Sequence, residues 1–227
     1  KKTTNGMNSW STISSLGLGN LNALTIAESD PDYLYASKSS TIYRTKNGGS
    51  TWNNISSGLP YLYITYIAVH PSDPERIAVS LSGYEDGEKV YISEDAGDTW
   101  ENYSANLPNI PANCVIYYND PNNALYVGMD VGVYYRDNSL TEWESFMTDL
   151  PNVIVSELEI NYVIEKIRAG TYGRGLWESD LRIIAPVADF EASQTLIPIE
   201  CSINYTSLSA GPPTSFEWTF EGGTPGT

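Results

Sequence analysis

Apolar and polar residues alternate along short stretches of this chain, and the alternation recurs. Tyr63 to Val69, Cys114 to Tyr118 and Val153 to Ile160 each read as a strand. A break follows, then a more apolar run: Arg76-Ile77-Ala78-Val79 after the first, Ala124-Leu125-Tyr126-Val127 after the second. Tyr33-Leu34-Tyr35-Ala36 holds the same place earlier in the chain. A third kind of strand comes next: Thr41-Ile42-Tyr43-Arg44, Lys89-Val90-Tyr91-Ile92 or Gly132-Val133-Tyr134-Tyr135. A turn ending in tryptophan and a short polar strand close each unit. The pattern predicts four antiparallel strands in roughly 45 residues, repeated along the chain.

Three marks keep step with that period. Trp10, Trp52, Trp100 and Trp143 stand 42, 48 and 43 residues apart. Asp30-Pro31, Asp73-Pro74 and Asp120-Pro121 follow the first three by 20, 21 and 20 residues. Here the chain is expected to break between first and second strands, because proline cannot donate to a ladder. Leu59-Pro60, Leu107-Pro108 and Leu150-Pro151 begin seven residues after the last three tryptophans. Four strands in such a unit match one blade of a β-propeller. The fold class is all-β: four blade repeats, incomplete at the ends, followed by the start of an Ig-like sandwich.

The turn is clearest at Ser93-Glu94-Asp95-Ala96-Gly97-Asp98-Thr99-Trp100. Gly97 can take a positive φ, Asp95 can accept from turn N–H groups, Thr99 suits a strand, and Trp100 is an apolar anchor. Residues 45–52 repeat the spacing with Thr45, Asn47, Gly49 and Trp52; residues 3–10 are a looser copy; residues 136–143 keep little beyond Trp143. Trp52, Trp100 and Trp143 are expected in equivalent buried positions. In the fourth unit Lys166 to Thr171 is the inner strand, and no turn motif follows Trp177. That blade is expected to lack its outer strand, with the donor upstream of Lys1, so the segment reads as a fragment. From Pro186 the pattern changes to new alternating strands, Pro186 to Phe190, Ser202 to Ser207 and Pro213 to Phe220. The expected division is residues 1–183 and 184–227.

Charge narrows the partners. Twelve basic against 28 acidic residues give a net charge of −16. Such a surface repels nucleic acid and anionic membranes, and no apolar run reaches the ~20 residues needed to span a bilayer. The two cysteines, Cys114 and Cys201, fall in different expected domains and read as small buried or unpaired thiols.

The turn resembles the Asp-box, or bacterial neuraminidase repeat, Ser/Thr-x-Asp-x-Gly-x-Thr-Trp. Residues 93–100 match it in full. The whole unit, with its Asp-Pro turn and Gly173-Arg174-Gly175-Leu176-Trp177, is similar to propellers of xyloglucanases and sortilin-type receptors. The tail, with Val187-Ala188-Asp189-Phe190 and Ser215 to Phe220, resembles a polycystic-kidney-disease (PKD) domain. These resemblances imply a large secreted or cell-surface protein of Bacteroidetes-type bacteria, with adhesin-like or carbohydrate-binding roles.

Candidate chemistry is sparse. The turn carboxylates lack the dense alternate spacing of a calcium loop, and Glu85-Asp86-Gly87-Glu88 reads as a solvated loop. Neither cofactor nor metal is expected. Sialidase chemistry needs an arginine cluster, whereas Arg44 and Arg136 sit beside hairpin turns at the rim. The sole histidine, His70, belongs to a repeat turn, against a Ser-His-Asp triad. Asp130, Glu157 and Glu159 are carboxylates available for a glycosidase pair, with nothing to single out two. Tyr61, Tyr63 and Tyr172 could stack on sugars; Tyr172, with Arg174 in a glycine-flanked turn, is the candidate ligand contact. No catalytic residue is assigned. Two readings stand: a non-catalytic interaction segment that binds polysaccharide or another surface protein, or half of a xyloglucanase-like glycoside hydrolase.

Overall fold

A computed structural model of the protein describes residues 3, 6–13, 20–182, 189–193 and 203–208. The chain forms two compact units, Lys1–Ser179 and Asp180–Thr227.

The first unit is a run of antiparallel meanders. The first sheet holds β1 (Ala23–Ile26), β2 (Leu34–Lys38), β3 (Thr41–Thr45) and β4 (Asn53–Asn54). The second holds β5 (Ile64–His70), β6 (Asp73–Leu81), β7 (Val90–Ser93) and β8 (Glu101–Asn102). The third holds β9 (Ala112–Tyr117), β10 (Leu125–Met129), β11 (Val133–Arg136) and β12 (Glu144–Ser145). The fourth has three described strands, β13 (Val155–Asn161), β14 (Lys166–Thr171) and β15 (Gly175–Asp180). The first strands β1, β5, β9 and β13 lie side by side in that order. This is part of a β-propeller, with sheets packed face to face around inner strands.

Packing on both faces explains the apolar second strands. In the second sheet, Ile64, Ile67, Ile77, Val79 and Leu81 join a core with Tyr35, Ile42 and Ile55 of the first unit. Ala68, Ala78 and Val90 point the other way, into a core with Val115, Leu125 and Val127 of the third. A strand buried on both faces has no polar side to alternate with, so β10 is buried throughout.

Two expectations are corrected. The Asp-Pro turn does not end the chain's pairing in the second sheet: β6 already begins at Asp73, paired with His70 across a bulge. Pro74 is tolerated there because β7 pairs with β6 only from Ile77 onward, leaving no ladder for the missing N–H to break. The tryptophans are not equally buried. Trp143 is 3% exposed, Trp52 and Trp100 are half-buried, and Trp10 is 53% exposed. Arg44 and Arg136 do lie beside the turns; Arg44 is buried and Arg136 half-buried, each against the neighbouring sheet.

In the second compact unit, β16 (Phe190–Ala192) and β17 (Tyr205–Ser207) pair antiparallel, with Phe190 edge-on to Tyr205 at 5.9 Å. The rest of the expected sandwich, including Pro213 to Phe220 and Cys201, lies outside the described residues. Cys114 is a buried free thiol.

Candidate functional site

An antiparallel meander gives each sheet two ends, and here they differ. One end carries the links between first and second strands and the tryptophan turns. The other carries the links between second and third strands and the crossings between sheets.

The turn end is tied down. Ser93 Oγ accepts from the N–H groups of Asp95 and Gly97 and donates to Asp95 Oδ1 at 2.8 Å. Asp95 in turn accepts from Thr99 N–H at 2.8 Å and from Thr99 Oγ1 at 2.6 Å. Burial alone would raise the Asp95 pKa, but the Thr99 side-chain and backbone hydrogen bonds, with that from Ser93, outweigh it and hold it at about 2. Residues 45–52 make the same net: Thr45 Oγ1 accepts from Asn47 and Gly49 N–H, and Asn47 Oδ1 accepts from Thr51 N–H. Asn47 Nδ2 donates to Thr51 Oγ1, reversing the direction of the Thr99–Asp95 bond.

The turns of Trp100 and Trp143 are also bolted to the preceding unit. Trp100 Nε1 donates to the Ile55 carbonyl at 2.8 Å, and Trp143 Nε1 to that of Tyr103 at 2.7 Å. Ile55 and Tyr103 are repeat-equivalent, three residues after Trp52 and Trp100. Arg44 Nη1 donates to the Ala96 carbonyl and to Asp98 Oδ1, both at 2.9 Å. Arg136 Nη1 donates to the Tyr103 carbonyl while its guanidinium lies 3.7 Å over the Tyr103 ring. Neither arginine is available to a substrate carboxylate. His70, also at this end, lies edge-on to Tyr117, and its Nδ1 accepts from Ser72 N–H. Burial and the nearby Arg76 charge lower its pKa, so it is held neutral.

The opposite end is open. Tyr61 and Tyr63 lie on the crossing between first and second sheets, Tyr84 between β6 and β7, and Tyr172 between β14 and β15. They are 91%, 52%, 69% and 77% exposed. Backbone bonds hold their segments: Tyr172 N–H donates to the Ile154 carbonyl, and Ser82 N–H to that of Tyr63. The acidic 85–88 loop is pinned by buried Lys89, whose Nζ donates to the Gly83 carbonyl and Asn109 Oδ1, both at 2.9 Å. Tyr91 OH donates to Glu88, and Asn102 Nδ2 donates to the Gly87 carbonyl. Arg174 is exposed in the same turn as Tyr172, and its carbonyl accepts from Trp177 Nε1.

The inner strands add a pair that the sequence reading missed. Tyr66 OH donates to Glu157 Oε1 at 2.6 Å, joining the second and fourth sheets. Burial raises the Tyr66 pKa, and the bond to Glu157 raises it further, so Tyr66 remains a neutral donor. Cys114 lies between them in the chain order of inner strands, its thiol pushed up by burial and by Glu157. Repeat registration could have found the pair. Leu24, Tyr66, Cys114 and Glu157 each stand fourteen residues after a tryptophan, so they share one level of the inner strands. A position where four repeats disagree is one the fold does not dictate. Of the other two carboxylates, Asp130 accepts from Asn113 Nδ2 at 3.1 Å and Glu159 is exposed. Among the described residues, no group of three or more His, Cys, Asp or Glu is arranged to hold a metal.

Residues 8–166 match the family model described as Sortilin-Vps10: "Sortilin, neurotensin receptor 3". No curated protein matches the sequence. Among solved structures, the extracellular domain of the putative one component system BT4673 from B. thetaiotaomicron is 17% identical over 75% of this chain and 22% of that one, with a TM-score of 0.56. An auxiliary nutrient binding protein from Bacteroides thetaiotaomicron is 14% identical over 73% of this chain and 39% of that one, TM-score 0.56. A GH74 xyloglucanase from Xanthomonas campestris is 15% identical over 69% and 28%, TM-score 0.53. The chain thus spans well under half the length of each. At these identities the likeness is one of fold.

Proposed function

The chain belongs to the Sortilin-Vps10 family, and from that premise we propose that it is a non-catalytic interaction segment of a larger exported protein, binding polysaccharide through its open end. One observation carries the reading: Tyr61, Tyr63, Tyr84 and Tyr172, all exposed, leave the same end of the sheets. Exposed aromatic faces on segments held by backbone bonds stack on sugar rings with little side-chain entropy to lose. Arg174 supplies a donor beside Tyr172. The turn residues Thr45, Asn47, Gly49, Ser93, Asp95, Gly97 and Thr99 are, in this reading, structural Asp-box residues. Residues 184–227 are the start of a PKD-like spacer, and the whole works outside the cell. A nutrient binding protein and an extracellular domain among the similar folds support that setting.

A second reading has its own observation. Glu157 is an exposed carboxylate held by a tyrosine at the inner edge, as a glycosidase acid or base could be.

Affinity electrophoresis of the chain against xyloglucan, other β-glucans and sialylated glycans tests both. Retardation without release of reducing ends supports binding. Hydrolysis that falls ~10³-fold in Glu157→Gln supports the second reading instead.

A further inference from the structure

The repeat is longest in its second unit. Trp52 and Trp100 stand 48 residues apart, against 42 and 43 for the other pairs. Most of the excess falls in one link at the open end. Between second and third strands the first, third and fourth sheets have residues 39–40, 130–132 and 172–174, whereas the second has 82–89. The other units close without such a loop, so packing of the repeat does not call for it.

The loop is nonetheless held firmly. At its base stands Lys89, eleven residues before Trp100, where the first and third units have Thr41 and Gly132. Lys89 is fully buried, and its Nζ ties the Gly83 carbonyl to Asn109 Oδ1 on the crossing toward the third sheet. Burial lowers the Lys89 pKa, and Asp86, Glu85 and Glu88 oppose that. A buried ammonium is costly unless its protons are met; here the groups that meet them fix the loop. At the loop's start Ser82 N–H donates to the Tyr63 carbonyl at 2.9 Å, which holds the Tyr63 segment beside the one that carries Tyr84. At its end Glu88 and Gly87 are bonded to Tyr91 and Asn102. Left outside this frame are Tyr84, Glu85 and Asp86, all exposed.

Resting on the polysaccharide reading above, we propose that the 82–88 loop is the specificity element of the open end: Tyr84 stacks on the sugar, Lys89 positions Tyr84, and the ligand is an uncharged polysaccharide. An anionic chain lying on Tyr84 would bring its charges against Glu85 and Asp86, while the loop's own ammonium is turned inward. An uncharged chain meets no such repulsion.

The test is affinity electrophoresis of the full chain at low salt against β-glucans, each paired with its carboxymethylated form. The uncharged member should retard the parent at least about fivefold more strongly. Tyr84→Ala should weaken that binding about tenfold at unchanged stability. Lys89→Met should weaken it too, with hydrogen exchange quickened at the Ser82 and Glu88 amides; if Lys89→Met impairs folding, Tyr84→Ala decides. Glu85→Gln combined with Asp86→Asn should keep the uncharged binding and bring the carboxymethylated form within about threefold of it. Parental binding in Tyr84→Ala or in a folded Lys89→Met chain, or equal retardation by both members of each pair, overturns the proposal and leaves the polysaccharide reading standing. A parent that no glycan retards overturns that reading and the proposal with it.

Discussion

The two ends of this propeller segment spend their side chains differently. At the turn end the polar groups face inward: Asp95 closes its own turn, Arg44 reaches two carbonyls and a carboxylate of the next sheet, and tryptophan N–H groups hold the previous one. At the other end the backbone is fixed but four tyrosine rings project outward. The contrast teaches that the most recognisable motif in a repeat protein can be one that is spent on holding its own turn and its neighbour. A residue repeated in every unit answers a demand that every unit shares, which is packing. A residue that differs between units at one level is free to serve something else.

That contrast can be broken by mutation. The largest expected effect is Trp143→Ala, which empties a fully buried indole site and removes the bond to Tyr103; it should cost about 3–5 kcal/mol in denaturant unfolding. Trp100→Ala, at a half-buried site, should cost less. Gly97→Ala comes next. Its φ is +92° and Ile55 Cδ1 blocks the new methyl, so a loss of about 1–3 kcal/mol is expected, with the 93–100 turn opening first in hydrogen exchange.

Asp95 gives a smaller and pH-dependent effect. Asp95→Ala should cost about 1 kcal/mol near neutrality, through lost turn hydrogen bonds. Asp95→Asn should cost little there, since Asn47 makes the equivalent net. The folded pKa is about 2, below the 3.8 of a free side chain. The carboxylate's contribution is therefore complete above about pH 4 and lost as pH falls toward 2. In Asp95→Asn the midpoint of urea unfolding should change less over that window than in the parent.

The smallest stability effect belongs to the tyrosine end. Tyr61→Ala, Tyr84→Ala and Tyr172→Ala should each lie within about 0.5 kcal/mol of the parent, as exposed substitutions do.

Much of the fold was legible because it repeats. Tryptophan spacing, Asp-Pro and Leu-Pro placed the three four-stranded sheets and the shorter fourth one. What escaped was whatever depends on a neighbour in space. Arg44 read as a rim residue because its partners, Ala96 and Asp98, lie about fifty positions on. Residues 136–143 read as a degraded motif, yet their tryptophan bond is intact. Asp137 is buried there, accepting from Ser139 N–H at 2.8 Å and from Tyr135 OH at 2.6 Å, so a different net supports the same indole. The letters drifted while the contact between sheets stayed. At the candidate site, Tyr172 and Arg174 read as part of a glycine-flanked turn, and both are exposed in it. Tyr84 was passed over, although Gly83 and the acidic 85–88 stretch beside it mark a loop. The Tyr66–Glu157 pair spans 91 positions and no shared motif.

The division of labour between the two ends is tested most directly by one paired measurement. Asp95→Ala and Tyr172→Ala chains, both confirmed folded, are run against the polysaccharide that retards the parent most. The account predicts parental retardation for Asp95→Ala despite its lower stability, and about tenfold weaker binding for Tyr172→Ala at unchanged stability. Binding lost in Asp95→Ala and kept in Tyr172→Ala would contradict it.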